Sequence, residues 1–400
     1  MTAADPNGFL RRAIIGLIGF LTLVDLFAAQ AILPTLAKMY DVPPSAMGVA
    51  VNASTIGMAA AGLVVALVSH RLPRRGGIWM SLALLAIPTV LLAHAPDLAT
   101  FTALRIVQGV FMSAAFTLTM AYLSEQNTGA ATAGALAAYI TGNVASNLVG
   151  RLISSAVASA AGVAINFYAF AVLNLAGAAL VFLTLARAPA MAVAAGEMRR
   201  SAAARIAAHF QNTCLVASFG IGFCVLFAFL GVFTYVNFVL AAPPLSLTPM
   251  ALGLVYFVFL PSMVTTPLAG RVAGRFGPRP TFFASLGLAL AGLPLLLADT
   301  IAPVIAGLAM VGVGTFFAQA TATGFVGRAA RTDRAAASGI YLASYYLGGL
   351  AGAWAIGQVY DRAGWTPAVV LVAVSLIAAA GLAALLRPAT AGSAAVPATA

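Results

Sequence analysis

The sequence predicts an all-α membrane protein: twelve transmembrane helices in two pseudo-symmetric six-helix bundles. Three observations predict it. Hydrophobic residues fill 62% of the 400 positions and charged residues 7%, against about 45–50% and about 25% in a soluble domain. The mean hydropathy is +1.03. Long apolar runs alternate with short charged breaks from one end to the other, and the two halves echo each other at an offset of roughly 204 residues.

The first run, 13–33, reads AIIGLIGFLTLVDLFAAQAIL. At about 1.5 Å per residue it just spans a ~30 Å hydrocarbon layer. Arg11 and Arg12 precede it, but it is too long for the apolar core of a signal peptide and no A-x-A site follows cleanly, so it is expected to be a retained span. The second span, 47–68, ends at the basic loop HRLPRR (70–75), and the third covers 77–95. The fourth, 98–122, opens after Asp97. The fifth and sixth, 131–156 and 162–186, are divided only by residues 158–161. The longest polar interruption then separates the halves, giving bundles 1–186 and 210–400 with a linker at 187–209. The second half carries spans at 211–240, 249–270, 281–298, 301–326, 336–359 and 366–386. Its loop GRFGPR (274–279) echoes 70–75, and ASGIYLASY (337–345) echoes AGALAAY (133–139).

The net charge of +11 is spread over small clusters between apolar runs, which points to membrane topology rather than nucleic acid. With the N-terminus inside, only Lys38, Arg151 and Arg362 of the 20 basic residues fall outside, and Arg105 falls within a span. Both termini are therefore expected in the cytoplasm of a bacterial inner-membrane protein. Cys214 and Cys224 lie in one run, about 15 Å apart on a helix, too far to bridge. There is no metal-ligand cluster, P-loop, H-E-x-x-H or G-x-S-x-G, so neither an enzyme nor a metal site is expected.

Asp25 lies at the centre of the first span, and no other run carries a central acid. An ionisable group at that depth costs about 2.5–3.5 kcal/mol on insertion scales. It is the candidate proton-coupling group and also a candidate substrate contact; packing through a hydrogen bond to a neighbouring helix is the alternative. Arg105 sits about 10 Å deep in the fourth span, with Gln108 one turn further in. Its guanidinium could hold Asp25, backbone carbonyls or an anionic substrate, or it could snorkel and tie helices together. Tyr139, Asn143, Asn147 and Arg151 recur every fourth residue in the fifth span and form one polar stripe, with Arg151 expected at the outer interface. The stripe lines a cavity or acts as interhelical glue. Tyr235, Gln319, Tyr341 and Tyr345 supply candidate substrate contacts from the second half.

At these residues the chain resembles the major facilitator superfamily along its whole length. Arg105-Ile106-Val107-Gln108-Gly109 is similar to that family's fourth-helix motif, which in proton-coupled exporters is linked to proton transfer. Tyr122-Leu123-Ser124-Glu125, Tyr139-Ile140-Thr141-Gly142-Asn143 with Gly150-Arg151-Leu152-Ile153-Ser154, and Tyr341-Leu342-Ala343-Ser344-Tyr345-Tyr346-Leu347-Gly348 resemble its acriflavine-sensitivity (YnfM-type) drug efflux branch. The loop after the second span departs from the family pattern Gly-x-x-x-Asp-Arg-x-Gly-Arg-Arg. Ala66, His70 and Pro73 replace the first Gly, the Asp and the second Gly, while Arg71, Arg74 and Arg75 remain. In the family that acid latches helices together, a task His70 performs only weakly when neutral. His70, Arg71, Arg74, Arg75, Arg275 and Arg279 are the candidate gating-loop residues.

The resemblance implies a secondary transporter that exports small lipophilic compounds by alternating access. The proton gradient would be its energy source and no cofactor is expected. The expected partners are a small-molecule substrate and the bilayer, without nucleic acid, and the expected state is a monomer. The alternative is an organic-anion facilitator or symporter with Arg105 as the anion's partner.

Overall fold

The computed structural model describes residues 6–68, 73–126, 129–187, 202–330 and 334–386. Every regular element among them is helical. The first half contains α1 (Pro6–Ala31), α2 (Leu33–Met39), α3 (Pro44–Asn52), α4 (Ser54–Val68), α5 (Arg74–Leu92), α6 (Leu98–Glu125), α7 (Gly129–Ala161) and α8 (Val163–Thr184). A short helix, α9 (Ala202–Phe210), leads into the second half. There follow α10 (Thr213–Ala241), α11 (Pro249–Val255), α12 (Leu260–Thr265), α13 (Ala269–Phe276), α14 (Pro278–Gly292), α15 (Ile301–Ala329), α16 (Arg334–Ala363) and α17 (Trp365–Ala384). Part of the expected 187–209 linker lies outside the described residues.

Eleven segments among the described residues are long and apolar enough to cross a membrane. The twelfth span is α16, whose Gly, Ser and Tyr residues dilute its hydropathy although it is 30 residues long. Two expected spans are not single helices. The second breaks at Ala53 between α3 and α4. The eighth is divided into α11, α12 and α13 by 3₁₀ turns at Tyr256–Phe259 and Thr266–Leu268. Pro261 and Pro267 explain this: each removes a ladder N–H and crowds the carbonyl four residues back. The fifth and sixth spans are also joined differently from the expectation. Residues 158–161 remain helical, and Gly162 alone makes the turn, with φ of +90°. Its counterpart Gly364, between α16 and α17, has φ of +85°.

Helix pairing repeats between the halves. α1 packs along α7 as α10 packs along α16; α5 packs on α6 and α8 as α14 packs on α15 and α17. Across the seam between halves, α16 lies against α3 and α4, and α7 lies against α11. These close approaches need missing side chains. A Cβ at Gly142 would come within 1.8 Å of the Gly16 carbonyl oxygen, and one at Gly109 within 1.9 Å of the Ser54 carbonyl oxygen. The largest buried cluster gathers Phe229, Phe233, Phe259 and Phe316, with Phe27 against it from the first half. Large apolar side chains such as Val64, Ile87, Val172, Leu183, Val264 and Ile377 point outward, as a lipid-facing surface requires.

Candidate functional site

Helix termini set the two ends of the molecule. Asp97 caps α6 by accepting a 2.7 Å hydrogen bond from the Thr100 N–H, which holds its carboxyl below the usual Asp range. At that end Tyr40, whose hydroxyl donates to the Ala95 carbonyl, is pushed above its ordinary value by burial and then by nearby Asp97. At the opposite end Arg74 makes a bidentate pair with Glu125, Nη2 lying 2.5 Å from Oε1 and Nε 3.0 Å from Oε2. No other ion pair occurs among the described residues.

The first polar centre lies inside the first half. A guanidinium has five N–H donors, and Arg105 uses all of them. Nε donates to the Val51 carbonyl at 2.9 Å; Nη1 donates to the Asp25 carbonyl at 3.2 Å and to Gln108 Oε1 at 2.7 Å. Nη2 donates to the Leu26 carbonyl and to Ser54 Oγ, both at 3.2 Å. Gln108 Nε2 then donates to Thr89 Oγ1 at 2.7 Å, and Asn174 Nδ2 reaches the same oxygen at 3.2 Å. The Gly109 crossing makes this possible by bringing α6 onto the backbone of α4 one turn away.

Arg105 thus holds the backbone of α1 beside Asp25, not its carboxylate. The Asp25 side chain is 4% exposed and its Oδ2 has no hydrogen-bond partner. Of the roles the sequence allowed Arg105, the carbonyl and interhelical ones are realised.

The second polar centre lies on the seam. The α7 stripe is buried throughout: Tyr139, Asn143, Asn147 and Arg151, continued by Ser155. Each carries a buried polar atom without a partner, namely Tyr139 Oη, Asn143 Oδ1, Asn147 Oδ1, Arg151 Nε and Nη1, and Ser155 Oγ. Arg151 corrects the expectation of an outer-interface residue. It is 0% exposed, and its carbon centre stands 4.2 Å from the Tyr256 ring centroid, 5.0 Å from Phe259, 5.1 Å from Phe27 and 5.8 Å from Phe233. Nη2 donates to Gln30 Oε1. Gln30 passes the chain on to Asn52 Oδ1 at 2.7 Å, and Asn52 Nδ2 crosses the seam to Thr234 Oγ1 at 3.0 Å. Ser45 N donates to Asp361 Oδ2 at 3.3 Å nearby.

The other candidates separate. Tyr235 is fully buried and commits its hydroxyl to the Ala353 carbonyl at 2.5 Å, so it ties α10 to α16. Tyr341 and Tyr345 stack at 6.1 Å on α16, with the Tyr341 hydroxyl unpartnered. Gln319 is half-buried on α15. Of the gating-loop residues, His70 and Arg71 lie outside the described residues. Arg75 donates to the Phe182 carbonyl and covers that ring at 4.7 Å; Arg275 stands 5.3 Å from the Phe276 ring, and Arg279 is exposed. Sequence reasoning missed Gln30, Asn52, Thr89, Asn174 and Tyr256 as site members. The legible signal was a lone amide or hydroxyl inside an apolar run.

The repeated helix pairing, the polar centres and the apolar outer surface define a multi-pass membrane carrier built from two related halves. The sequence profile described as the Major Facilitator Superfamily matches residues 15–262 and 227–400, and the chain belongs to that family. It is similar to the inner membrane transport protein YnfM of Escherichia coli (strain K12), at 25% identity over 394 residues, covering 94% of this chain and 92% of that one. The MFS-type transporter YybF of Bacillus subtilis (strain 168) is 24% identical over 330 residues, covering 82% of this chain and 81% of that one. Among solved structures, a point mutant of the nucleoside transporter NupG superposes with a TM-score of 0.75 at 13% identity, covering 95% of this chain and all of that one. A bacterial homologue of the human lysosomal transporter Spinster, inward-facing and unoccupied, gives 0.71 at 13% identity, with 96% and 95% covered.

Proposed function

We propose that this transporter is a proton-coupled exporter of small lipophilic compounds in the bacterial inner membrane. It works by alternating access, as a monomer with both termini in the cytoplasm, without enzymatic activity and with the proton gradient as its only energy source. The observation that carries the reading is the state of Asp25. Its carboxyl is buried at mid-span with an unpartnered oxygen and no ion pair, so it can gain or lose a proton without breaking a salt bridge. Arg105 keeps the surrounding backbone in place while that happens, because its donors are spent on α1, α3, α4 and Gln108. Protonation removes a buried charge and favours one arrangement of the halves. Substrate favours the other, and exchange follows from that difference. Downhill proton movement supplies about 2.3 kcal/mol per 100 mV of membrane potential.

The same saturation weighs against the alternative in which Arg105 grips an anion, since a substrate would have to displace existing bonds. The test is transport into proteoliposomes under an imposed proton gradient, for wild type and Asp25→Asn. Wild type is expected to move a compound against its gradient, and Asp25→Asn only to equilibrate it. Equal, gradient-driven accumulation by both would remove Asp25 from the mechanism. Cysteine labelling of both termini in right-side-out vesicles checks the topology.

A further inference from the structure

Arg151 is the one described cation that lies wholly inside the protein with most of its donors unused. Three of its five N–H groups, on Nε and Nη1, meet no acceptor. No carboxylate pairs with it, the only described ion pair being Arg74–Glu125. A buried guanidinium in that condition is costly. Ring faces offset part of the cost, but rings do not use N–H donors that point past them. Buried polar atoms are nearly all hydrogen-bonded in native proteins. Here the orphans fall in one line: Asn143 Oδ1 and Asn147 Oδ1 occupy the two turns of α7 below Arg151. The line runs along α7 from Arg151, one residue past Gly150 at the level of Val24, to Asn143, beside Gly142 at the level of Gly16, away from the end where Asn52 and Ser45 bridge the halves.

We propose that Arg151 and its aromatic surround form an anion-accepting subsite for cargo, and that the cargo is a hydroxylated aromatic carboxylate. The proposal rests on the transport reading above and names its substrate class. The carboxylate takes the free Nε–H and Nη1–H donors. The planar body lies among Tyr256, Phe259, Phe27 and Phe233. A hydroxyl on the far side of the ring donates to an orphan amide oxygen of Asn147 or Asn143, one to two turns away at about 5.4 Å per turn. A cationic compound is excluded because Arg151 has no acid beside it. The site is shut in this conformation, and separating the halves at the Asp97 end opens it.

The test is binding to the purified full-length protein in detergent, with no proton gradient. The probes are 4-hydroxycinnamate, its uncharged methyl ester, cinnamate and tetraphenylphosphonium. Wild type is expected to bind 4-hydroxycinnamate saturably and the ester at least about tenfold more weakly, the loss of one charge-assisted pair. Arg151→Gln is expected to erase the difference between acid and ester, Arg151→Lys to restore part of it, and Asn147→Leu to erase the preference for 4-hydroxycinnamate over cinnamate. Should Arg151→Gln fail to fold, Arg151→Lys and Asn147→Leu still decide. Equal binding of acid and ester, unchanged discrimination in Asn147→Leu, or binding of tetraphenylphosphonium alone overturns the proposal. So does an Arg151→Gln protein that loses stability but keeps the acid–ester preference, which makes Arg151 a packing strut. Asp25→Asn, which mimics the protonated carboxyl, is expected to bind 4-hydroxycinnamate more weakly than wild type but to keep the acid–ester preference, which belongs to Arg151. A chain that binds it but shows no proton coupling therefore fails the transport reading alone.

Discussion

Each of the two polar centres holds one buried arginine, and the two are solvated in opposite ways. Arg105 lies within one half and spends every donor on carbonyls, a hydroxyl and Gln108. Arg151 lies on the seam, faces rings and leaves two of its three nitrogens without a partner. The contrast separates a cation that builds a structure from one that waits for a ligand. A charge satisfied by fixed dipoles is part of the scaffold. One held by quadrupoles keeps its hydrogen-bonding capacity.

Substitutions should sharpen this difference in a definite order. Arg105→Met carries the largest expected loss, at least about 3 kcal/mol, because five buried bonds vanish together. Melting of the purified protein should fall steeply, and Arg105→Lys should not rescue it, since an ammonium has three donors and no planar fork. Gly109→Val comes next. Its side chain would overlap the Ser54 carbonyl, lifting α6 from α4 and moving Arg105 off its acceptors, at about 1–3 kcal/mol. Arg151→Leu should lower melting by less than either, because a cation with unused donors gives up little when an apolar chain fills its place; a loss as large as that of Arg105→Met would erase the distinction. Asn52→Ala removes the hydrogen bond to Thr234 and should shift the equilibrium between closed and open seam by about 1 kcal/mol. Spin-label distances between α3 and α10 read that shift. Asp97→Ala should have the smallest effect. The Asp97 carboxyl titrates below its unfolded value, so its contribution is present above the unfolded value and fades as pH falls through the folded one. Wild-type and Asp97→Ala melting curves should therefore differ at neutral pH and converge in acid.

Much of the architecture is legible in the sequence because a bilayer leaves few choices: run length gives the spans, and repeated loop motifs give the two related halves. The breaks in the eighth span are written in Pro261 and Pro267, but hydropathy ignores a missing N–H. Asp25, Arg105 and Gln108 stand out as polar residues in apolar runs. Their mutual arrangement does not, because it depends on backbone carbonyls, which every sequence has. Arg151 is misplaced by the sequence for a geometric reason. With the fifth span ended at 156 it sits near a helix end, whereas α7 runs to Ala161 and puts it about 15 Å from that end. Glu125 as the partner of Arg74 is likewise hidden by a separation of 51 positions along the chain.

The hydrogen bonds across the seam concern how the carrier meets its surroundings. At the Asp97 end the described hydrogen bonds between halves run from Asn52 to Thr234 and from Ser45 to Asp361; beside them lie apolar packing and the Arg151 guanidinium against the second half's rings. The charges at this contact are the Asp361 carboxylate and the Arg151 guanidinium, and the latter is buried out of reach of dissolved ions, so salt has little there to screen. A door held mostly by neutral contacts opens with nearly the same ease in dilute and in concentrated salt, and its turnover answers to temperature and cargo far more than to the ionic strength at that face.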